Sequence, residues 1–295
     1  MKASLIIVRY GEIGLKADYT RKSFENILIK NIKNSLKKEN IDFKIESTRG
    51  RIFVHTKEID KTINILQRIF GIKSVSPCFK TNSSLDSMKT FISQVIQNKI
   101  TSETSFALKV RREGNHDYTS RDVAVLLGNE VAKKTKAKVN LSKPDVTLYI
   151  EIRDKNAFFF FDKYLGPGGL PLGAQGKILS VIDSKNESFL AVWYMMRRGC
   201  IPVFLISDEK LVDDLKIFGD KWFFKPRTID SSEKHNSLDN ICLENDCSAA
   251  VTGDTMQSFP SIVRLKNDFT TPILFPLISM DEKEIKNKIM ELGLF

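Results

Sequence analysis

"GKILSVIDSKNESFLAVWYMMRRGC", residues 176–200, is the stretch on which the fold turns. Ile178 to Ile182 is a short apolar run bounded by turn residues, and it reads as a buried strand. Phe189 to Met196 carries apolar residues at helical spacing and reads as an amphipathic helix. A strand feeding directly into a helix is the repeating unit of a parallel α/β domain. Working outward, residues 201–206 give a second strand, and further strands are expected near 221–224, 248–252 and 272–276. A final helix is expected at about 281–292. Strands alternating with helices predict a doubly wound parallel sheet over residues 176–295. The stretch 225–247 is polar and weakly periodic, and no element is assigned to it.

Between that first strand and helix lies the turn Asp183-Ser184-Lys185-Asn186-Glu187. This is the place where an α/β domain holds a phosphate, on N–H groups that approach the anion without a Cβ in the way. Glycine normally supplies that approach. This turn has no glycine and two carboxylates.

Upstream, "GPGGLPLG" (166–173) holds four glycines and two prolines in eight residues and marks a domain linker or a rigid turn. The chain before it reads as two α+β pieces. Strand 4–10, helix 20–39, strands 42–47 and 51–55, helix 58–69 and strand 72–79 follow the β-α-β-β-α-β order of a ferredoxin-like domain. Thr20 is the expected cap of the first helix. Helix 84–98, strand 105–112, a helix capped by Thr119 or Ser120, and strands 145–153 and 157–164 form the second piece. The expected layout is 1–79, 80–165, a linker at 166–175, and 176–295.

Charge separates these parts. The chain has a net charge of +10 over 295 residues. Residues 1–165 carry 31 Lys and Arg against 18 Asp and Glu, and residues 166–295 carry 15 against 18. A basic half joined to a nearly neutral half suggests a polyanion-binding platform attached to something else. No run of about 18 apolar residues is present, so no membrane span is expected. The start, "MKASLIIVRYGE", reads as a strand rather than a signal peptide. Four cysteines without a C-x-x-C, and three histidines, give no metal site. Few cysteines and no signal point to the cytoplasm.

In the basic half, Lys109, Arg111 and Arg112 stand at the end of a strand, followed by Asn115 and His116. Thr119, Ser120 and Arg121 open the next helix. Cations, O–H and helix N–H donors in that arrangement suit phosphates and 2′-hydroxyls. Lys16, Arg21 and Lys22 flank the first helix start and extend the candidate set.

The stretches "RYGEIGLKADYTRKSFE" (9–25), "GRIFVHT" (50–56), "KVRREGNHDYTS" (109–120), "KVNLSKPDVTLYIEIR" (138–153), "GPGGLPLGAQGKIL" (166–179), "MMRRGC" (195–200), "AVTGD" (250–254) and "PILFPLISMDEKEI" (272–285), in this order, carry a resemblance. The chain resembles the tRNA 4-thiouridine synthetase (tRNA sulfurtransferase) family over essentially its whole length. The resemblance implies a ferredoxin-like domain, a THUMP domain that binds RNA, and a PP-loop domain of the ATP pyrophosphatase type. It also implies tRNA as partner, ATP with magnesium as cofactor, and a cysteine-borne persulfide that delivers sulfur.

The chain departs from that pattern where chemistry is done. The family's S-G-G-x-D-S loop falls on Asp183, Ser184, Lys185, Asn186, Glu187 and Ser188. Both glycines are gone. An anion beside Asp183 and Glu187 meets repulsion on the order of 1–4 kcal/mol, which Lys185 would offset in part. Val181, Ile182, Ile206, Ser207 and Gly253 remain as walls of a vestigial nucleotide site. "SLDNICLENDCSAAVTGD" is shorter and more acidic than the family's cysteine-bearing helix, and "DTMQSFPSIVRL" lacks its glutamine pair. The expectation is a tRNA-binding protein with lost or altered adenylation chemistry. The alternatives are an active sulfurtransferase with a rebuilt loop, or a scaffold that works as a homodimer or as the hetero-partner of a modification enzyme.

Overall fold

The computed structural model describes residues 3–97, 99–229, 237–258 and 270–294. The chain divides into two compact units that interleave along the sequence. One gathers Met1–Arg9, Asn40–Asn64 and Ser74–Leu165; the other gathers Tyr10–Glu39, Ile65–Lys73 and Gly166–Phe295.

The first unit is built on a nine-stranded sheet. Its strands are β1 (Leu5–Tyr10), β2 (Lys44–Thr48), β3 (Arg51–His55), β4 (Ile72–Asn82), β5 (Ser105–Glu113), β6 (Lys138–Val139), β7 (Val146–Arg153), β8 (Asn156–Phe160) and β9 (Tyr164–Leu165). They run in the order β2-β3-β1-β4-β8-β7-β5-β6, with β9 also on β4. With α1 (Asp18–Lys38) and α2 (Ile59–Leu66), the first four strands follow the ferredoxin-like order. Helices α3 (Leu85–Val95) and α4 (Ser120–Thr135) cover one face of β5, β7 and β8. Met88, Ile92, Val123, Leu127, Leu148, Ile150, Ile152 and Phe159 are buried there.

Strand alternation sends the intervening residues to the other face. Leu5, Ile7, Phe53, Cys78, Phe158 and Phe160 form a second core on it. Phe53 on β3 stacks on Phe158 of β8, with ring centroids 4.8 Å apart. Those two strands are not neighbours in the sheet, so the sheet curls until its two halves touch.

The second unit is a parallel sheet. Its strands are β10 (Lys177–Ile182), β11 (Ile201–Ile206), β12 (Arg227–Thr228), β13 (Cys247–Val251) and β14 (Ile273–Leu274), in the order β12-β11-β10-β13-β14. Helices α5 (Asn186–Arg197), α6 (Leu211–Lys221), α7 (Leu238–Glu244) and α8 (Glu282–Leu292) belong to it, as does α1. Strand order reverses at β10, which pairs with β11 on one side and β13 on the other. α5 is wrapped on most sides: Phe189, Leu190, Ala191, Val192, Trp193 and Met196 are buried. Trp193 and Trp222 both lean on Phe70, at 5.9 and 5.2 Å between centroids.

The glycine-rich segment 166–173 is a strap held by backbone hydrogen bonds. Leu170 N–H donates to Arg197 O at 2.9 Å, and Gly71 N–H to Gly168 O at 2.8 Å. Gly169 has φ +71°, and a Cβ there would lie 2.0 Å from the Arg197 carbonyl oxygen. No other residue fits that contact.

Two expectations need correction. α1 begins at Asp18 with Ala17 at the cap position, and no side chain caps it; Thr20 lies inside the helix. Asp18 supplies the negative charge that the first turn favours and pairs with Arg21 at 2.8 Å. Residues 221–224 are not a strand. They are the exit of α6, where Phe223 takes φ 56° so that Trp222 is buried and Phe224 stacks on Phe204. The strand itself is β12, a few residues on.

α7 lies in the stretch to which the sequence assigned nothing. Residues 230–236 of that stretch, and 259–265 of the segment after "VTG", lie outside the described residues.

Candidate functional site

Two places hold the residues singled out in the sequence. The first is the basic end of the first unit. Strand alternation on β5 puts Lys109 and Arg111 on one face, both exposed. Arg112 points the other way and is half-buried. It donates to Gly114 O at 3.1 Å and lies 3.3 Å from His116 Nδ1, while His116 Nε2 lies 2.7 Å from Asp154 O. Arg112 and His116 therefore shape the 113–118 loop. Asn115 is exposed at its tip.

Thr119 caps α4 in a reciprocal box. Asp122 N–H donates to its hydroxyl, and Thr119 N–H and O–H both donate to Asp122. Its hydroxyl is thereby spent on the helix, and Ser120 and Arg121 follow as the first residues of the exposed turn. Lys16, Arg21 and Lys22 belong to the second unit. Lys16 and Lys22 are exposed; Arg21 is engaged by Asp18 and by Glu25.

The same sheet holds a charge cluster that the sequence reading missed. Glu151 on β7 is 4% exposed and sits among Arg9, Arg51 and Arg153, which come from β1, β3 and β7. Arg51 Nε lies 2.6 Å from Glu151 Oε1. Arg153 reaches Glu113 at 2.7 Å and also donates to Arg49 O. Burial pushes the Glu151 carboxyl up, but Arg51 and Arg9 outweigh it, and the group titrates below the ordinary carboxylate range. Glu151 shares its strand face with Thr147, Tyr149 and Arg153, opposite Leu148, Ile150 and Ile152, so its phase in "TLYIEIR" reads as the polar one and gave no sign of burial.

The second place is the switch point of the parallel sheet, where open α/β sheets bind ligands beyond the strand ends. A cavity of about 580 Å³ opens there. The β10–α5 turn gives it Asp183, Ser184, Asn186 and Glu187, the end of β13 gives Gly253 and Asp254, and α8 gives Glu282 and Lys286. Four carboxylates thus face one lysine.

The turn is closed on itself. Asp183 N–H and Ser184 N–H both donate to Ser188 Oγ, at 3.3 and 3.2 Å. Ser188 O–H in turn donates to Asp183 Oδ1 at 2.7 Å, and Ser188 N–H donates to Ser184 Oγ at 3.3 Å. Lys185 Nζ lies 2.6 Å from Asp214 of α6, and Lys185 is not part of the cavity wall.

Gly253 presses on the turn so closely that a Cβ would lie 2.6 Å from Ser188 N. Of the other walls expected from the sequence, Val181, Ile182, Ile206 and Ser207 do not line the cavity. Ile182 and Ile206 are packed in the core. Among the described residues, no three His, Cys, Asp or Glu converge as metal ligands.

Burial pushes Cys78 up to about 12 and Cys247 up to about 11, and it raises Cys200 and Cys242 as well. No helix among the described residues is long and apolar enough to cross a membrane.

Comparison with known proteins places these features. Residues 5–76 match the family described as the ThiI ferredoxin-like domain, and residues 82–162 match the THUMP domain. A probable tRNA sulfurtransferase of Methanobrevibacter smithii is 30% identical, over 100% of this chain and 88% of its own length. A protein of the same description from Methanocaldococcus jannaschii is 31% identical, over 98% of this chain and 88% of its own. Among solved structures, PH1313 from Pyrococcus horikoshii aligns with a TM-score of 0.83 at 26% identity, over 99% of this chain and 100% of that one. A 4-thiouridine synthetase–RNA complex with bound ATP aligns at 0.78 and 22% identity, over 99% and 86%, which is a likeness of fold.

Proposed function

The chain belongs to the tRNA sulfurtransferase family, and from that premise we propose that it is a tRNA-binding member whose adenylation chemistry is lost or altered. The binding half of the reading is supported by the THUMP match and by the exposed Lys109, Arg111 and Arg121 around the start of α4. Cations and hydroxyls at a helix start address phosphate and ribose rather than base edges.

The observation that carries the other half is the closed turn. A triphosphate needs backbone N–H groups that are free and unshielded. Here the N–H groups of Asp183 and Ser184 are taken by Ser188, inside a wall of four carboxylates and one lysine. The one cation of the turn itself, Lys185, is drawn off to Asp214. These residues do not fit ATP in the manner of an S-G-G-x-D-S loop. The raised thiols agree, since sulfur transfer requires a thiolate.

A second reading, an active enzyme with a rebuilt loop, draws on the cavity, which at about 580 Å³ falls within the range of small-ligand sites. One experiment separates the two: release of AMP from radiolabelled ATP with magnesium and bulk tRNA, alongside filter binding of the same sample. Bound tRNA without AMP release is the expected result. tRNA-dependent AMP release would overturn it.

A further inference from the structure

We propose that Arg9, Lys109 and Lys163, at the edge of the curled face of the nine-stranded sheet, form a site for one phosphate group, carried by the backbone of a bound RNA or free in solution. The inference rests on the RNA-binding reading for the first source only, and it adds a position outside the 109–121 segment.

The starting point is a charge imbalance. Of the three guanidiniums around Glu151, Arg51 takes its carboxylate at 2.6 Å and Arg153 reaches Glu113 at 2.7 Å. Arg9 is left with the longest contact, 3.4 Å to Glu151. Its Nη1 donates to Ser76 Oγ at 3.0 Å, and its Nη2 is buried without a hydrogen-bond partner. A guanidinium nitrogen in that position is expected to have an acceptor.

Two further cations crowd the same place. Lys109 stands opposite Tyr149 in the β5–β7 register, and the Lys163 ammonium lies over the Tyr149 ring; Lys163 is pulled below its usual range first by burial, then by Arg9 and Lys109. Neither Lys163 nor Lys109 has a carboxylate within ion-pair distance among the described residues. Glu151 is the carboxylate that acts on both Arg9 and Lys163, and it is shared with Arg51 and Arg153; cations that outnumber their counter-charge are destabilising, and an added anion relieves them.

The cations are also held in place. Lys163 Nζ lies 3.6 Å from the centroid of the Tyr149 ring, and Arg9 lies 4.4 Å over Phe160. Those two rings stack at 5.3 Å. Cation–π contacts to a stacked pair fix the donors before the ligand arrives, which lowers the ordering cost of binding. A phosphate suits the site because its oxygens accept from several directions at once, here from the two exposed ammonium groups, with the positive charge of the part-buried Arg9 behind them.

The test uses the full-length protein, Lys163→Gln and Lys109→Gln, both at exposed positions, with inorganic phosphate and bulk tRNA as probes. At constant ionic strength, phosphate at roughly ten times its Kd raises the wild-type Tm by about 3 °C, and both variants lose the shift. In filter binding, each variant weakens tRNA about tenfold near 0.1 M salt and makes the salt slope shallower by about 1. Loss of the Tm shift with tRNA binding unchanged assigns the site to free phosphate and removes the RNA source. No Tm shift in the wild type, but weaker and less salt-dependent tRNA binding in the variants, assigns it to the RNA backbone. Wild type that fails to bind tRNA, yet shows a Tm shift the variants lose, leaves the site standing and sinks the function proposed above. Variants that keep both the shift and the tRNA slope overturn the inference.

Discussion

The Glu151 cluster and the 183–188 turn both bring charge to the inside of the molecule, and they resolve it differently. Around Glu151, side chains from β1, β3 and β7 meet, residues far apart in the chain, so the charges tie the curled sheet together. In the turn the hydrogen bonds are local: Asp183, Ser184 and Ser188 satisfy one another within six residues, and Lys185 reaches out to Asp214 of α6. A long-range cluster makes the architecture depend on its charges. A local one lets the strand–helix junction persist whether or not a ligand comes.

The largest effect is expected from Glu151→Gln. It leaves three buried guanidiniums without their shared carboxylate and costs about 3–5 kcal/mol, read from urea unfolding. A loss below about 1 kcal/mol would break the contrast, because the cluster would then be ornamental. Next comes Gly253→Ala, whose Cβ meets the Ser188 amide at 2.6 Å. Overpacking there costs about 1–3 kcal/mol, visible as a fall in Tm of the second unit.

Ser188→Ala should cost less, about 1 kcal/mol, since each amide it frees is near solvent. It also sharpens the comparison. If the closed turn is what excludes a phosphate, the variant gains measurable affinity for inorganic pyrophosphate while its tRNA binding stays unchanged.

The smallest effect is a pH response. Asp239 accepts from Thr270 N–H and Thr271 N–H, which hold its carboxyl down to about 2. A group depressed in the folded state contributes stability above its unfolded pKa, near 4, and loses it as pH falls through the folded value. Between about pH 4 and 2, Asp239→Asn therefore flattens the stability curve. The same sign holds for Glu151, whose carboxyl is also depressed, so Glu151→Gln flattens the acid limb as well.

The fold was largely legible because its signals are periodic. A short apolar run located β1, the turn before it located β3, alternation located β5 and β7, and helical spacing located α1, α3 and α5. The aromatic run Trp222-Phe223-Phe224 misled because a short apolar stretch fits a strand or a helix exit equally, and only tertiary packing decides. α6 went unnoticed for a related reason: Asp213, Asp214 and Asp220 dilute its apolar stripe.

At the candidate site, missing glycines were plain from the letters. The capture of two amides by one hydroxyl, and the departure of Lys185 toward Asp214, were not, because both are choices of side-chain direction. The Arg9–Glu151 contact joins residues from opposite ends of the first half, and no local pattern announces it.

The reversal of strand order at β10 has a bearing on how the second unit comes together. Leu179 pairs with Val203 on one side and with Ala250 on the other. The first partner follows after a single helix; the second waits for α6, β12 and α7 to be laid down. Pairings between distant segments form late, because the loop must close before the contact rewards it. During synthesis β10 and β11 emerge and can dock long before β13 exists. The edge of β10 that will receive β13 stays open in that interval, an unpaired strand able to recruit another chain. The cavity at the switch point is therefore the last part of its sheet to form and the part most exposed to misassembly.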